Sequence, residues 1–307
     1  MGKDDLFKSL TLVKIFLISY APLDMVDRKG DDSPHPPGTM VSPRFDRFFR
    51  THEKVMWEFG ALDFGAIEKD KLTQNDVDGV RAAMLVESHN PVYTMRILEY
   101  FRADHEMTSF VVTWGYEEMK HYVVLRSYLE ACGMVNVPEL HQELDVTRAG
   151  PWGDKETRFT RMQSFVYTMI QEQVTGRFYR RFADFTKEPV LQNILRLVSK
   201  DEYRHCQYYL EKGREELDGD RRRLKEVNEV LLDFEMPGSE FMPNYKRDFD
   251  AGMKVAPFDI GAMRETVDKI GQLTGKLHLL KLAADPAFHR KLRNELGLDL
   301  KKVFAEG

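Results

Sequence analysis

Val111–Cys132 reads VVTWGYEEMKHYVVLRSYLEAC, and its periodicity decides the fold. Alternating steps of three and four residues from Val111 pass through Trp114, Glu118, His121, Leu125, Tyr128 and Cys132, the inward stripe of a bundle helix. Two hydrophilic residues, Glu118 and His121, thus fall in a core stripe, where an unpaired carboxylate is severely penalised. Something must neutralise Glu118. A later segment repeats the pattern, with Leu191, Leu195, Val198, Glu202, His205 and Tyr209 on one face and the same Glu-x-x-His spacing. Each pair projects a carboxylate and an imidazole from adjacent turns toward one point.

Four long helical segments emerge, at 75–103, 107–132, 156–185 and 188–217. The first and third each carry one stripe carboxylate: Glu87 among Met84, Pro91 and Met95, and Glu172 among Phe165, Met169 and Tyr179. Pro91, four residues after Glu87, is expected to bend its helix at that carboxylate, because its ring clashes with the Glu87 carbonyl. Glu87 precedes Glu118 by 31 residues and Glu172 precedes Glu202 by 30, an internal duplication that predicts a pseudo-twofold site. Four carboxylates carry a formal charge of −4, which two divalent ions balance while neutral imidazoles complete the coordination. Carboxylate-rich ligation without thiolate suits iron or manganese better than zinc. Glu117 and Asp201 read as off-axis neighbours on the helix flanks, and His89, His105 and His141 as surface or core residues.

The segment 133–155, with Pro138, Gly150, Pro151 and Gly153, is long enough to cross the end of a bundle, and the other connections are short, as antiparallel neighbours require. A further helix is expected near 221–234, then a breaker at Pro237 and Gly238, a loop to about Asp259, and amphipathic helices to the end. No run of alternating β-branched residues is bounded by turns, so the fold class is all-α: a four-helix bundle with additional N- and C-terminal helices. Residues 1–307 read as a single domain, with an N-terminal helix and arm over 1–71, a bundle core over 72–217 and a helical extension over 218–307. The arm lies at Gly30–Pro43, where prolines and glycines do not sustain a helix.

A net charge of −5 and a pI near 6.0 argue against a general nucleic-acid binder, which needs clustered Lys and Arg. Cys132 and Cys206 form no CxxC motif and no disulfide framework, which fits a reducing cytoplasm, and neither reads as a nucleophile. Leu10–Ala21 (LTLVKIFLISYA) is the one stretch resembling a signal-peptide core; Lys14 interrupts it, and it reads as an amphipathic helix. Nothing reaches the apolar length of a membrane span.

Several segments together resemble the ferritin-like di-iron carboxylate proteins, and among them the soluble acyl-acyl-carrier-protein desaturases. MLVESHNPVYT around Glu87 resembles the family's first ligand segment, with Pro91 at plus four and Tyr93 at plus six; TWGYEEMKH (113–121), SFVYTMIQEQVT (164–175) and KDEYRH (200–205) resemble the second, third and fourth. The likeness covers about 50–217 well and the C-terminal third weakly, apart from Met236-Pro237. It implies that Glu87, Glu118, His121, Glu172, Glu202 and His205 are ligands to two iron ions, with an iron–manganese pair an alternative, and that Glu118 and Glu172 or Glu202 bridge or chelate. Thr175 falls at the family's threonine beside the oxygen-binding face; its plain alternative is a core hydroxyl bonded to a helix carbonyl. Asp201 falls at the relay aspartate that fixes a ligand histidine, and Trp57, across an alignment gap of several residues, at the relay tryptophan.

The resemblance implies an O2-dependent oxidoreductase that places a double bond in a fatty acyl chain carried by an acyl carrier protein, with a ferredoxin-like electron donor and a homodimeric assembly. Arg177, Arg180, Arg181 and Lys187 are candidates for the basic surface that an acidic carrier needs. One alternative is a di-iron N-oxygenase or hydroxylase, from which Val198 and Gly176 lean away, since arylamine N-oxygenases carry a histidine at the position of Val198 and multicomponent hydroxylases a threonine at that of Gly176. A second is ferritin-like iron storage, whose compact subunits lack the long additions before and after this bundle.

Overall fold

A computed structural model describes residues 42–148, 159–234, 236–238, 242–257, 260–275 and 278. The expected helix over 10–21, nearly all of the arm, part of the bundle crossing and the terminal helices beyond 278 lie outside the described residues. All regular structure among the described residues is helical.

Helix α1 (Pro43–Val55) begins where Ser42 Oγ accepts from the Phe45 amide and Pro43 occupies the first turn, where its missing N–H costs nothing. Three short 3-10 turns lead to α2 (Gln74–Glu87), started by a reciprocal capping box between Thr73 and Asp76. The expected single helix over 75–103 is divided: α2 ends at Glu87, and α3 (Asn90–Tyr100) starts with Pro91 in its first turn. Proline has no N–H for the Glu87 carbonyl, and here its effect is a break rather than a bend.

Helix α4 (His105–Cys132) runs from the Asp104 cap to Gly133, which ends it at φ 72°, a left-handed conformation that suits glycine. The expected crossing loop contains a helix, α5 (Val137–Arg148). Pro138, taken as a breaker, lies in its first turn, where proline is tolerated, and Asn136 Oδ1 accepts from the Glu139 amide. Helices α6 (Arg161–Phe185) and α7 (Pro189–Gly219) pack against each other along their length, opened by the Thr160–Gln163 capping box and the Glu188 cap.

The extension forms α8 (Leu224–Asp233), α9 (Tyr245–Val255) and α10 (Ile260–Thr274). The presence of α9 corrects the expected loop to Asp259: Asp248, Ala251, Gly252 and Val255 repeat at helical spacing and are buried against α2, beyond the breaker at Pro237 and Gly238. Helix α8 packs on α6, and α10 on both α6 and α7. The buried apolar residues form two clusters, one holding Phe110, Val111, Trp114, Phe165, Met169 and Tyr209, the other Leu125, Tyr128, Phe182, Leu191, Leu195 and Val198. Along α4 and α7 the two clusters flank the Glu-x-x-His turns, so the polar residues occupy a layer between two dry ones.

Candidate metal centre

The break before Pro91 makes Glu87 the last residue of α2; Glu118 and His121 come from mid-α4, Glu172 from mid-α6, and Glu202 and His205 from mid-α7. All six are buried, at 6% exposure or less. They form two quartets, Glu87–Glu118–His121–Glu202 and Glu118–Glu172–Glu202–His205, in each of which one ligating atom per residue lies within 4.8 Å of the others. Glu118 and Glu202 belong to both quartets, so the geometry favours Glu202 over Glu172 as the second bridging candidate.

Both histidines turn Nδ1 inward. His121 Nδ1 is 3.4 Å from Glu202 Oε1 and 3.8 Å from Glu118 Oε1; His205 Nδ1 is 3.1 Å from Glu118 Oε1 and 3.3 Å from Glu172 Oε2. Their Nε2 atoms face outward to carboxylates, His121 to Asp201 Oδ2 at 3.2 Å and His205 to Glu117 Oε2 at 2.8 Å. A carboxylate only accepts, so each Nε2 carries the proton and donates it, leaving an Nδ1 lone pair for a cation.

Electrostatics points the same way. Burial first, and then neighbouring carboxylates, push Glu87 and Glu172 well above the usual carboxylate range, and Glu118 is raised as well. Burial also acts on Glu202, but the imidazoles of His121 and His205 beside it outweigh burial and hold Glu202 low. Both imidazoles are raised well above their usual value by the surrounding carboxylates, against the effect of burial. Three of the four buried carboxylates, and both imidazoles, thus favour holding protons that cations can replace. Glu118 Oε1, Glu202 Oε1 and His121 Nδ1 are buried without a hydrogen-bond partner among the described residues, which is the condition of ligand atoms facing a cation. The donor set, oxygen-rich with one imidazole per quartet, fits two iron or manganese ions.

Around this layer lies a second set of polar contacts. Asp201 Oδ2 accepts from Trp57 Nε1 at 2.7 Å as well as from His121, so Trp57, Asp201 and His121 form one hydrogen-bonded chain. Glu117 is fully buried, not a flank residue: it accepts from His205, from His52 Nδ1 at 3.0 Å and from Arg204. Those contacts outweigh burial and hold its carboxyl well below the usual range. Arg204 also reaches Asp201 Oδ1 at 2.7 Å, tying the two outer carboxylates together. Asp201, too, is buried rather than on a flank. Its equivalence to Glu117 in the duplicated motif is the one signal from which Glu117 could have been found; His52, on α1, carries none. Trp114 Nε1 donates to Glu172 Oε1 at 3.0 Å, and the Tyr179 hydroxyl donates to Glu87.

Glu87, Glu118 and Glu202 also line a cavity of about 240 Å3 with a mostly apolar wall. Ile170 and Phe178 of α6, Phe249 of α9 and Val267 of α10 contribute to it, so the extension completes the cavity that the bundle begins. Thr175, one turn beyond Glu172, lies on the cavity wall. Arg177 and Arg181 line it too, and Arg177 is paired with Glu265 of α10, whereas Arg180 and Lys187 are exposed. His89 is buried away from the quartets, His141 pairs with Glu130 at 2.8 Å, and His105 is exposed. Burial pushes the Cys206 thiol up to about 12, which keeps it protonated.

Fold and centre together define a ferritin-like helical bundle with a carboxylate–histidine layer. The sequence model of the family described as "Fatty acid desaturase" matches residues 73–259, and the chain belongs to that family. Among its relatives, DesA1 of Mycobacterium tuberculosis, named as an acyl-[acyl-carrier-protein] desaturase, is 25% identical over 209 residues, 64% of this chain and 62% of that protein. DesA2 of the same organism, named likewise, is 22% identical over 138 residues, 45% of this chain and 50% of that protein. The chain therefore matches at most 62% of the length of these curated relatives. An X-ray structure of DesA2 superposes with a TM-score of 0.55 over 83% of this chain and 96% of that one, at 15% identity, which is a likeness of fold. No helix among the described residues is long and apolar enough to cross a membrane.

Proposed function

We propose that the chain is an O2-dependent di-iron oxidoreductase that introduces a double bond into a fatty acyl chain presented on an acyl carrier protein. The observation that carries this reading is the conjunction of two quartets sharing Glu118 and Glu202 with an apolar cavity lined by those same carboxylates. Storage of iron requires no such cavity. The two irons would be held by Glu87, Glu118, His121, Glu172, Glu202 and His205, and when bound they supply the two-electron oxidation of unactivated carbon by O2.

The remaining chemistry belongs to side chains of this protein. Ile170, Phe178 and Phe249 give an acyl chain an apolar, water-poor bed, so that the reacting carbons lie beside the carboxylate layer. Thr175 places a hydroxyl on the cavity wall as a proton donor toward the reacting face. The chain of Trp57, Asp201 and His121 offers a bonded path for electrons from outside, supplied by a ferredoxin-like donor. Arg180 and Lys187, exposed near the end of α6, suit the acidic surface of a carrier, and the names of DesA1 and DesA2 support that choice of carrier. We further propose a homodimer, with exposed Met95 and Tyr116 near the Thr94–Gly115 contact between α3 and α4 on its buried face, and a cytoplasmic location, which suits two free buried cysteines.

The test is product analysis. Iron-loaded protein is supplied with stearoyl carrier protein, reductant and a ferredoxin, and the released acyl chains are analysed by mass. Loss of two hydrogens, dependent on O2 and abolished in Glu118→Ala, is the expected result. Gain of one oxygen atom would replace this reading with a hydroxylase, and unaltered acyl chains with a cage-sized particle would replace it with iron storage.

A further inference from the structure

The internal duplication aligns EEMKH (117–121) with DEYRH (201–205), so Lys120 is the counterpart of Arg204. The two cations behave differently. Arg204 binds the outer carboxylates Glu117 and Asp201, whereas Lys120 turns to Trp57: its Nζ donates to the Trp57 carbonyl at 2.6 Å and lies 3.9 Å from the centroid of the indole ring. Lys120 is 8% exposed, so water screens this contact poorly. The indole N–H of the same ring donates to Asp201 Oδ2 at 2.7 Å.

These contacts act on the ring in opposite senses. When an indole gives up an electron its N–H becomes acidic, and Asp201 stands ready to take that proton, which makes the loss easier. The ammonium over the ring face makes it harder on two counts: it is attracted to the electron-rich neutral ring and repelled by the positive ring that oxidation leaves. We propose that Lys120 is a positioning and potential-setting residue for Trp57, holding the indole on Asp201 while raising the potential at which it is oxidised. Trp57 then serves as a bridge over which electrons pass inward, and is protected from being consumed by an oxidant generated beside His121. That consequence rests on the relay role proposed above. The potential itself is a property of the metal-free protein and is measured there, so failure of the desaturase reading and failure of this inference are distinguishable.

The step to be tested is one-electron oxidation of Trp57, the electron passing to an external photo-oxidant and the N–H proton to Asp201. Metal-free wild type, Lys120→Gln, Lys120→Met and Lys120→Arg are illuminated with ruthenium polypyridyl photo-oxidants of graded potential. Oxidised Trp57 is then quantified by peptide mapping, with Trp114 in the same protein as the reference. Lys120→Met keeps most of the side chain's bulk over the ring, which separates loss of the charge from greater exposure of the ring. The inference expects both neutral variants to be oxidised at Trp57 by a weaker photo-oxidant than wild type requires, with a yield relative to Trp114 raised on the order of tenfold at mid-series, and expects Lys120→Arg to keep the wild-type threshold. One threshold shared by all four proteins would overturn it, as would a threshold in Lys120→Arg lowered as far as in the neutral variants.

Discussion

Each candidate ligand histidine hangs from one outer carboxylate, His121 from Asp201 and His205 from Glu117, and those bonds decide which nitrogen would be free for a metal. Asp201→Asn and Glu117→Gln each lose a charged acceptor without losing volume. Either change is expected to weaken iron binding by about 10- to 100-fold, read by competition with a chromophoric chelator; wild-type affinity in both would remove the orienting role assigned to them. The six inner residues were legible because Glu and His interrupt apolar stripes at helical spacing, a contradiction that only a partner for the charge resolves. Glu117 was not, because the residue next to a stripe defaults to the flank. It is enclosed between α7 and α1, whose His52 reaches Glu117 from 65 residues away. No local period encodes such a contact.

At the scale of elements, the long bundle helices were readable from periodicity, while α5 and α9 were not, because proline and glycine near their starts read as breakers. Pro138 shows why: a residue that ends a helix from within is welcome in its first turn. The break between α2 and α3 is where an element positions a candidate ligand. In Pro91→Ala the restored N–H allows the two helices to join, which would carry Glu87 away from Glu118 and Glu202. We expect that variant to stay folded yet to bind about half the metal of wild type, and full occupancy would show that the break does not place Glu87. The extension is anchored by close packing on α2. A Cβ on Gly79 would come within 2.8 Å of Val255 of α9 and 3.0 Å of Phe182 of α6. Gly79→Val should therefore cost about 1–3 kcal/mol, measured by denaturant unfolding, and an unchanged midpoint would mean that α9 gives way freely.

For the molecule as a whole, the carboxylate layer couples folding to protons and, with the proposed metals bound, to metal. In the metal-free protein Glu87, Glu118 and Glu172 are raised above the usual carboxylate range, so folding takes up protons there. Their contribution to stability declines as pH rises from the unfolded carboxylate value near ~4 toward neutrality. Metal binding needs those groups deprotonated and so strengthens over the same interval. The difference in Tm between iron-loaded and metal-free protein should therefore widen from pH 5 to pH 7.5, followed by calorimetry at both; a pH-independent difference would mean that the ions bind elsewhere. Fold class and candidate ligands came from local patterns, whereas the cavity was not legible. It is built between α2, α6, α9 and α10, whose residues meet only in the folded chain.

The central claim is that Glu87, Glu118, His121, Glu172, Glu202 and His205 hold two redox-active metal ions. The most direct test is anaerobic titration of metal-free protein with ferrous iron, followed by Mössbauer spectroscopy after exposure to O2, on wild type and on Glu118→Ala. Binding of about two irons per chain, with a coupled diferric spectrum in wild type that is absent from Glu118→Ala, is the predicted result. A single iron, or none, with Glu118→Ala indistinguishable from wild type, would contradict it.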